Sequence, residues 1–191
     1  MLDPYFYIPI LSATAITATR LIEIGTRRNT IAGPVREQWS LRLFLGVGMI
    51  MFFGSIAEFV WRGQPFSRGF FAAGWVCALA SFAIRRRAIA ALGKFWSLHV
   101  EIRDSHQFVQ SGPFRFMRHP TYFSMVLELL SLGLLLKAWL MLAIIPFLYF
   151  PVLLFRLKLE ESALIEKFGD AYRDYQRRVP AIFPLRWPPA K

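Results

Sequence analysis

The chain has 191 residues, of which 55% are hydrophobic, and it contains 19 Phe and 6 Trp. This composition excludes an ordinary soluble surface, and the length suits one domain, so we expect residues 1–191 to form a single unit. The formal net charge is +11. Because the basic residues lie between long apolar stretches, we assign the charge to a membrane protein and expect no nucleic-acid partner.

Five apolar stretches predict membrane-spanning helices. Residues 41–61 would form a helix about 31 Å long, which matches a hydrocarbon core of roughly 30 Å. Lys137 alone separates the last two stretches, which predicts a tight helical hairpin. The stretches are residues 5–24, 41–61, 69–84, 122–136 and 138–155. The predicted fold is an all-α integral membrane protein with about five transmembrane helices, three of them within residues 1–87 and two within residues 88–191.

Basic residues are distributed unevenly between the loops. The loops after the first and third stretches and the C-terminal tail are rich in arginine, whereas the other two loops hold only Arg62, Arg68 and Lys137. Because basic residues favour the cytoplasmic side, this bias predicts an external N-terminus and a cytoplasmic C-terminus. The compact chain fits a bacterial inner membrane.

Two cytoplasmic segments remain outside the predicted spans. Residues 97–109 alternate between apolar and polar side chains, which predicts a small β-hairpin. Over residues 157–179 the apolar side chains recur at spacings of three, four or seven. This spacing predicts an amphipathic cytoplasmic helix that continues from the last span and is interrupted at Gly169.

The densest polar cluster lies where the fourth stretch begins and the fifth ends. Residues 112–122 read Gly-Pro-Phe-Arg-Phe-Met-Arg-His-Pro-Thr-Tyr, and Glu160 and Glu161 follow the last span. Each of these residues alone is typical of an interfacial anchor or a solvated helix face. A short connection, however, brings the start of one helix to the end of the next, so we expect His119 to lie beside the two glutamates. Ionisable groups near bilayer depth usually mark function.

Such a pocket suits a ligand that carries both charges and an aromatic ring. In S-adenosylmethionine the ammonium would meet Glu161, and the carboxylate would meet His119 or Arg118. The adenine would lie against the segment before the fourth span, where Gly112 permits close approach. A nucleotide would use similar groups and remains an alternative. No metal site is predicted, and the predicted cofactor-binding residues are Val109, Gln110, Gly112, Pro113, Arg118, His119, Pro120, Tyr122 and Glu161.

Residues 112–122 resemble the G-P-Y-R-x-x-R-H-P-x-Y signature of the isoprenylcysteine carboxyl methyltransferase family, with Phe114 at the usual tyrosine. Residues 160–180 resemble the family's E-E-x-x-L-x-x-x-F-G-x-x-Y-x-x-Y-x-x-R-V-P tail, and residues 92–97 resemble the segment ahead of its hairpin. The resemblance implies an integral-membrane methyltransferase that uses S-adenosylmethionine on the cytoplasmic side and takes a lipophilic acceptor from the membrane lipid.

The acceptor does not follow from the resemblance, because phospholipid methyltransferases and certain sterol reductases share parts of the pattern. Methyl transfer to a carboxylate, methyl transfer to a phospholipid or small amine, and NADPH-dependent reduction are three alternatives, and a non-catalytic lipid-binding protein is a fourth. Arg156 and Glu160 are the candidate catalytic residues, since they share one helix face. Arg156 would hold a carboxylate bidentately, whereas Glu160 would take a proton from an amine. The arginine favours a carboxylate.

One polar stripe runs along the fourth span. Thr121, Ser124, Glu128 and Ser131 recur at intervals of three and four residues. A charge that faces lipid at mid-span costs roughly 2.5–3.5 kcal/mol, so we expect the stripe to face the bundle interior. There it either forms hydrogen bonds between helices or, through Ser124, Glu128 and Ser131, lines a substrate tunnel.

Overall fold

The computed structural model describes residues 4–26, 39–93 and 109–184. Helices account for most of these residues, and no strand occurs among them. The six α-helices are α1 (Pro4–Gly25), α2 (Trp39–Arg62), α3 (Arg68–Leu92), α4 (Pro120–Leu135), α5 (Trp139–Phe168) and α6 (Asp170–Arg178), and a short 3₁₀ helix spans Gly112–Arg115. The predicted all-helical class is confirmed. The predicted β-hairpin at 97–109 lies outside the described residues, except for Val109.

Three helices of the described segments, α1, α2 and α5, are long and apolar enough to cross a membrane. Helix α4 is also apolar but has 16 residues. Helix α3 has 25 residues, and three consecutive arginines lie in its last third. The apolar helices confirm that the chain is an integral membrane protein.

Helix α5 is 30 residues long and continues from the predicted end of the last span, at residue 155, to Phe168. Gly169 then adopts a φ of +55°, which side-chain-bearing residues rarely adopt, and α6 begins at the next residue. In α6 only Tyr172 and Tyr175 are buried. The structure therefore confirms a helical tail that is interrupted at Gly169 and presents an apolar face.

A tight hairpin joins α4 to α5, as predicted. Lys137 has a φ of +50°, and the Ala138 amide donates a hydrogen bond of 2.8 Å to the Gly133 carbonyl. A Cβ atom at Gly133 would collide with the Leu142 side chain. A larger residue at this position would therefore force the Leu142 side chain to shift, because α4 and α5 approach each other closely here.

Glu58 of α2 caps the start of α5. The first amides of a helix have no partner within the helix and carry partial positive charge. The buried Glu58 carboxylate accepts hydrogen bonds from the Leu140 amide (2.9 Å) and the Met141 amide (3.0 Å). Arg62 lies 3.7 Å from the same carboxylate. This contact fixes the hairpin against α2.

Helix α3 packs closely along α4. A Cβ atom at Gly74 would lie 2.6 Å from Leu135 Cγ, and Ser81 Oγ donates a hydrogen bond of 2.7 Å to the Ser124 carbonyl. The helix ends at Leu92, beyond the predicted span end at residue 84. The packing therefore brings the arginine-rich end of α3 beside the first half of α4.

The arginine-rich segment after the third stretch predicts that Arg85 lies in a cytoplasmic loop. This prediction is wrong. Arg85 is 3% exposed, and its Nε lies 2.6 Å from Glu23 Oε2, while Nη1 lies 2.8 Å from Glu128 Oε2. The side chain therefore joins α3 to both α1 and α4 inside the bundle, because two carboxylates compensate its charge there. Arg86 and Arg87 are exposed.

We expect Glu58→Gln to lower the thermal stability of the detergent-solubilised protein. The substitution keeps the shape but removes the charge and one of the two acceptors, and hydrogen bonds to charged groups contribute about 1.5–3 kcal/mol. Arg62→Gln is the matched control, because it removes only a partly exposed ion pair worth about 0–1 kcal/mol. An unchanged melting temperature for Glu58→Gln would show that the cap contributes nothing.

Candidate functional site

The start of α4 is held by the chain that follows α6. The Arg118 amide donates a hydrogen bond of 2.9 Å to the Pro180 carbonyl, and the His119 amide donates one of 2.8 Å to the Ala181 carbonyl. Pro120 needs no such partner, since it lacks an amide hydrogen and occupies the first turn. The predicted cluster therefore lies between the start of α4 and the returning tail.

Glu161, near the end of α5, accepts hydrogen bonds from three side chains. Arg118 Nε donates to Oε1 at 2.7 Å, and His119 Nε2 lies 3.0 Å from the same oxygen. Gln176 Nε2 of α6 donates to Oε2 at 2.9 Å. The predicted convergence of His119 with the acidic pair is therefore present. We call Glu161, Arg118, His119 and Gln176 the Glu161 network.

Tyr122 links the two predicted catalytic residues. Its hydroxyl donates a hydrogen bond of 2.8 Å to Glu160 Oε2 and also interacts with the Arg156 side chain. Arg156 is 3% exposed and donates to Ser40 Oγ at 3.0 Å, whereas the Glu160 side chain is 38% exposed. We call Tyr122, Glu160, Arg156 and Ser40 the Tyr122 network. It extends from the surface of the site into the bundle.

The two networks are in direct contact. His119 stacks on Tyr122 with ring centroids 5.4 Å apart, and His119 Nδ1 lies 3.7 Å from Glu160 Oε2. His119 therefore faces both carboxylates of the predicted pair, one through each ring nitrogen.

Helix α6 covers the Glu161 network from one side. Arg118 Nη1 donates to the Gln176 carbonyl at 3.0 Å and to the Val179 carbonyl. Tyr175 donates to the Phe114 carbonyl at 2.7 Å and packs edge-on against Tyr172. Burial raises the pKa of both phenols, so both remain protonated and Tyr175 remains a donor. The tail is thus fixed to the site by polar contacts as well as by its apolar face.

The predicted adenine-contact segment leads into the site through Phe114. Gly112 has a φ of +61°, and a Cβ atom at this position would lie 3.6 Å from Ala91 Cβ, so glycine is required by conformation rather than by crowding. Val109 and Pro113 are half-buried, while Gln110 and Gly112 are exposed. The segment therefore offers an accessible backbone next to the Tyr175–Phe114 hydrogen bond.

The three predicted tunnel residues lie in two environments. Ser124 and Ser131 are fully buried, and the Ser124 carbonyl is bonded to Ser81 of α3. Glu128 instead pairs with Arg85 and borders a cavity between α1, α2 and α4. The polar stripe therefore faces the interior, as expected, but only Glu128 lines open space.

Sequence reasoning missed several groups that the structure brings to these networks and to the ion pairs around Arg85. Gln176 lies four residues after Tyr172, so helical periodicity was the signal that could have placed it on the same face of α6. Ser40 and Arg85 had no local signal, because their partners are distant in sequence. The unassigned pair of Arg20 and Glu23 could have been recognised as two charges three residues apart in an apolar helix.

Comparison with known proteins identifies a family whose sequence model matches a part of the chain that contains most residues of the two networks. The sequence model described as the Isoprenylcysteine carboxyl methyltransferase (ICMT) family matches residues 74–166, from the first third of α3 to near the end of α5. This range includes both ends of the hairpin that carry His119 and Glu161. It excludes α1, α2 and α6.

Three proteins that are similar to this chain carry different functional names. A protein-S-isoprenylcysteine O-methyltransferase of Dictyostelium discoideum is 31% identical over 56% of this chain and 46% of its own length. A methanethiol S-methyltransferase of Crocosphaera subtropica is 29% identical over 64% of this chain and 48% of its own. The cobalt-zinc-cadmium resistance protein CzcN of Cupriavidus metallidurans is 29% identical over 51% of this chain and 45% of its own.

The chain spans about half the length of the curated relatives that it matches. The matched region contains Arg118, His119, Tyr122, Arg156 and the Glu160–Glu161 pair. Residues 74–166 of the chain are therefore similar to the isoprenylcysteine carboxyl methyltransferase family.

Proposed function

We propose that this protein is an S-adenosylmethionine-dependent methyltransferase that acts on a lipophilic acceptor from the membrane. The observation that carries the proposal is the Glu161 network, in which a carboxylate, an arginine and a histidine meet at the end of a membrane helix. The family supports methyl transfer, and the apolar bundle below the network supports an acceptor that enters from lipid.

The residues fit the amino-acid part of S-adenosylmethionine. A carboxylate has about four acceptor positions, and three of those on Glu161 are used by Arg118, His119 and Gln176. One position remains for an ammonium group. Arg118 has five N–H donors, of which three have partners in the network, so two remain for a carboxylate.

The exposed segment before α4 would hold the adenine. Val109, Gln110 and Gly112 present backbone groups beside the site, and Pro113 provides an apolar surface. This assignment rests on their position next to Phe114 and on the family resemblance.

The Tyr122 network would serve the transfer itself. S-adenosylmethionine, when bound, supplies a methyl group activated by a sulfonium. The protein must then align the acceptor with that methyl group and exclude water. Arg156 is buried on the bundle side and is held by Ser40 and Tyr122, so it would orient the acceptor. Because the interior group is a cation, a carboxylate acceptor fits best.

An amine acceptor is the second candidate. Glu160 is partly exposed, and the Tyr122 hydroxyl is bonded to one of its oxygens, which leaves the other to take a proton. The names of the relatives also extend to a thiol acceptor. Transfer from tritiated S-adenosylmethionine to a native lipid extract separates a carboxylate acceptor from the other two, because alkali releases volatile methanol from a carboxyl methyl ester only.

We also propose the arrangement in the membrane. Five crossings by α1 to α5 would place the N-terminus outside and the C-terminus, with the Glu161 network, in the cytoplasm. The chain would act as one unit in a bacterial inner membrane, since α1 and α2 pack on the hairpin through one apolar core. The arginine bias of the loops supports this orientation.

His119→Ala and Glu161→Gln should each weaken the binding of S-adenosylhomocysteine by about 1.5–3 kcal/mol, the contribution of a hydrogen bond to a charged group. Isothermal calorimetry on the folded protein in detergent measures the affinity. Gln176→Ala should cause a smaller loss, because it removes a neutral partner of Glu161. NADPH should not bind; saturable NADPH binding without binding of S-adenosylhomocysteine would favour a reductase instead.

Arg156→Ala should reduce turnover by about 100-fold, the effect of a misplaced reactant, while the affinity for S-adenosylhomocysteine stays within a few-fold. Turnover is measured with the acceptor found in the lipid extract. Lys158→Ala is a matched control on the same helix, because Lys158 is exposed and lies outside both networks. Equal losses of turnover and cofactor affinity would indicate that Arg156 binds the cofactor rather than the acceptor.

Orientation can be read from single cysteines in a Cys77→Ser background. A membrane-impermeant maleimide should label Gln64→Cys, between α2 and α3, in intact cells. Arg173→Cys, on the exposed face of α6, should be labelled only after permeabilisation. The opposite labelling pattern would show that the proposed topology is inverted. Labelling of both cysteines in intact cells would contradict an odd number of membrane crossings between the two positions.

A further inference from the structure

Ser40, the second residue of α2, is hydrogen-bonded to a side chain of α5. Its Oγ accepts a hydrogen bond of 3.0 Å from Arg156 Nη1, although the two residues are 116 positions apart in the sequence. Both are buried, with 1% and 3% of their surfaces exposed. Ser55, a buried serine further along α2, instead donates to the Met51 carbonyl of its own helix. The hydroxyl of Ser40 therefore connects two helices, whereas that of Ser55 has a partner within α2.

Arginine has a long side chain with many rotamers, so its own helix does not fix the position of its guanidinium group. The guanidinium of Arg156 contacts two other helices. Ser40 of α2 accepts one hydrogen bond from it, and the Tyr122 hydroxyl of α4 interacts with it as well. Contacts from two helices define both the place and the orientation of the planar group. The loss of one contact would allow the group to turn about the other.

The chemical nature of the Ser40 contact matters for an arginine that binds an anion. A hydroxyl oxygen accepts a hydrogen bond without bringing a negative charge. Arg85, another buried arginine, shows the contrasting case, since carboxylates of Glu23 and Glu128 lie 2.6 Å and 2.8 Å from its guanidinium nitrogens. Ser40 therefore helps to fix Arg156 without reducing the attraction of its guanidinium for a carboxylate.

The same face of α2 also supports the neighbouring tyrosine. Phe44 lies four residues after Ser40, which places both on one face of the helix. Phe44 is 4% exposed and packs edge-on against Tyr122, with ring centroids 6.0 Å apart. Helix α2 precedes residues 74–166, the range of the family model. Two site residues within that range therefore obtain support from a helix outside it.

We propose that Ser40 is a positioning residue for methyl transfer. Its hydroxyl holds the Arg156 guanidinium in the orientation in which it binds the acceptor carboxylate. Ser40 acts through Arg156 rather than on the acceptor or the cofactor. This assignment rests on the proposed function, since it requires Arg156 to bind the acceptor.

Methyl transfer to the acceptor found in the lipid extract tests the hydroxyl. Ser40→Ala should reduce kcat about 10- to 100-fold, the effect of losing a hydrogen bond to a charged group. The KM for the acceptor should stay within a few-fold, because the charge of Arg156 remains. Ser55→Ala is the matched control, since it removes a buried hydroxyl bonded within α2, and it should leave kcat unchanged. Both variants should bind S-adenosylhomocysteine with wild-type affinity, measured by calorimetry.

Ser40→Thr and Ser40→Val separate the hydroxyl from the bulk of the side chain. The two variants add the same bulk and differ only in the hydroxyl, so Ser40→Thr should retain at least about ten times the turnover of Ser40→Val. This comparison remains valid if Ser40→Ala does not fold.

Ser40→Ala in an Arg156→Ala background separates positioning from an independent structural role. If Ser40 acts through Arg156, the double variant should lose no more turnover than Arg156→Ala alone. Independent effects would multiply instead, to a loss of about 1,000- to 10,000-fold.

Nitrogen NMR of the detergent-solubilised protein, labelled with nitrogen-15 arginine, provides a readout that needs no turnover. Hydrogen bonds restrict rotation of a guanidinium group, so Arg156 should show resolved Nη signals in the wild type and in Ser55→Ala. These signals are identified by their loss in Arg156→Lys. They should merge in Ser40→Ala and Ser40→Val.

Four results would overturn the assignment of Ser40 alone: unchanged kcat in Ser40→Ala, equal turnover of the threonine and valine variants, multiplied losses in the double variant, or unchanged Arg156 signals in Ser40→Ala. Absence of methyl transfer by the wild type would overturn the proposed function, and the assignment with it.

Discussion

The Glu161 carboxylate is the interaction on which the site depends. Its side chain is 13% exposed at the end of a membrane helix, so it must be compensated by neighbouring donors. The three donors come from two elements: Arg118 and His119 precede α4, and Gln176 belongs to α6. One carboxylate therefore fixes the start of α4 and the tail against the end of α5. Without it, the half-buried Arg118 and the buried His119 would lose their principal acidic partner.

The same constraint shapes the interior of the bundle. Arg85 connects α3 with carboxylates of α1 and α4, and Glu58 of α2 caps α5. A charge or a free helix end in an apolar environment is costly unless it is paired, and the partners here lie on other helices. Each polar group thus gives the packing a defined register that apolar contacts alone, being non-directional, do not supply.

The bundle combines these fixed contacts with a polar site at one end and an apolar cavity. Around His119 and Tyr122 the polar groups are linked to one another, and they offer a few remaining donor and acceptor positions to a charged ligand. The cavity between α1, α2 and α4 is lined mostly by apolar side chains, and its charged members are Arg20 and Glu128. Phe44 and Tyr122 separate the two regions. One face of α4 therefore joins a polar pocket to an apolar cavity with a polar end.

The sequence by itself determined the helices, the hairpin at Lys137, the break at Gly169 and the meeting of His119 with Glu161. Each depends on local periodicity, on glycine conformation or on a connection too short to allow another arrangement. Only the tertiary structure decided that Arg85 is buried, that Tyr122 links Arg156 to Glu160, that Gln176 and Ser40 complete the networks, and that Arg20 and Glu128 border a cavity. These contacts depend on how each helix is rotated and which distant helix it meets, and similar apolar faces allow many such rotations at nearly equal hydrophobic energy.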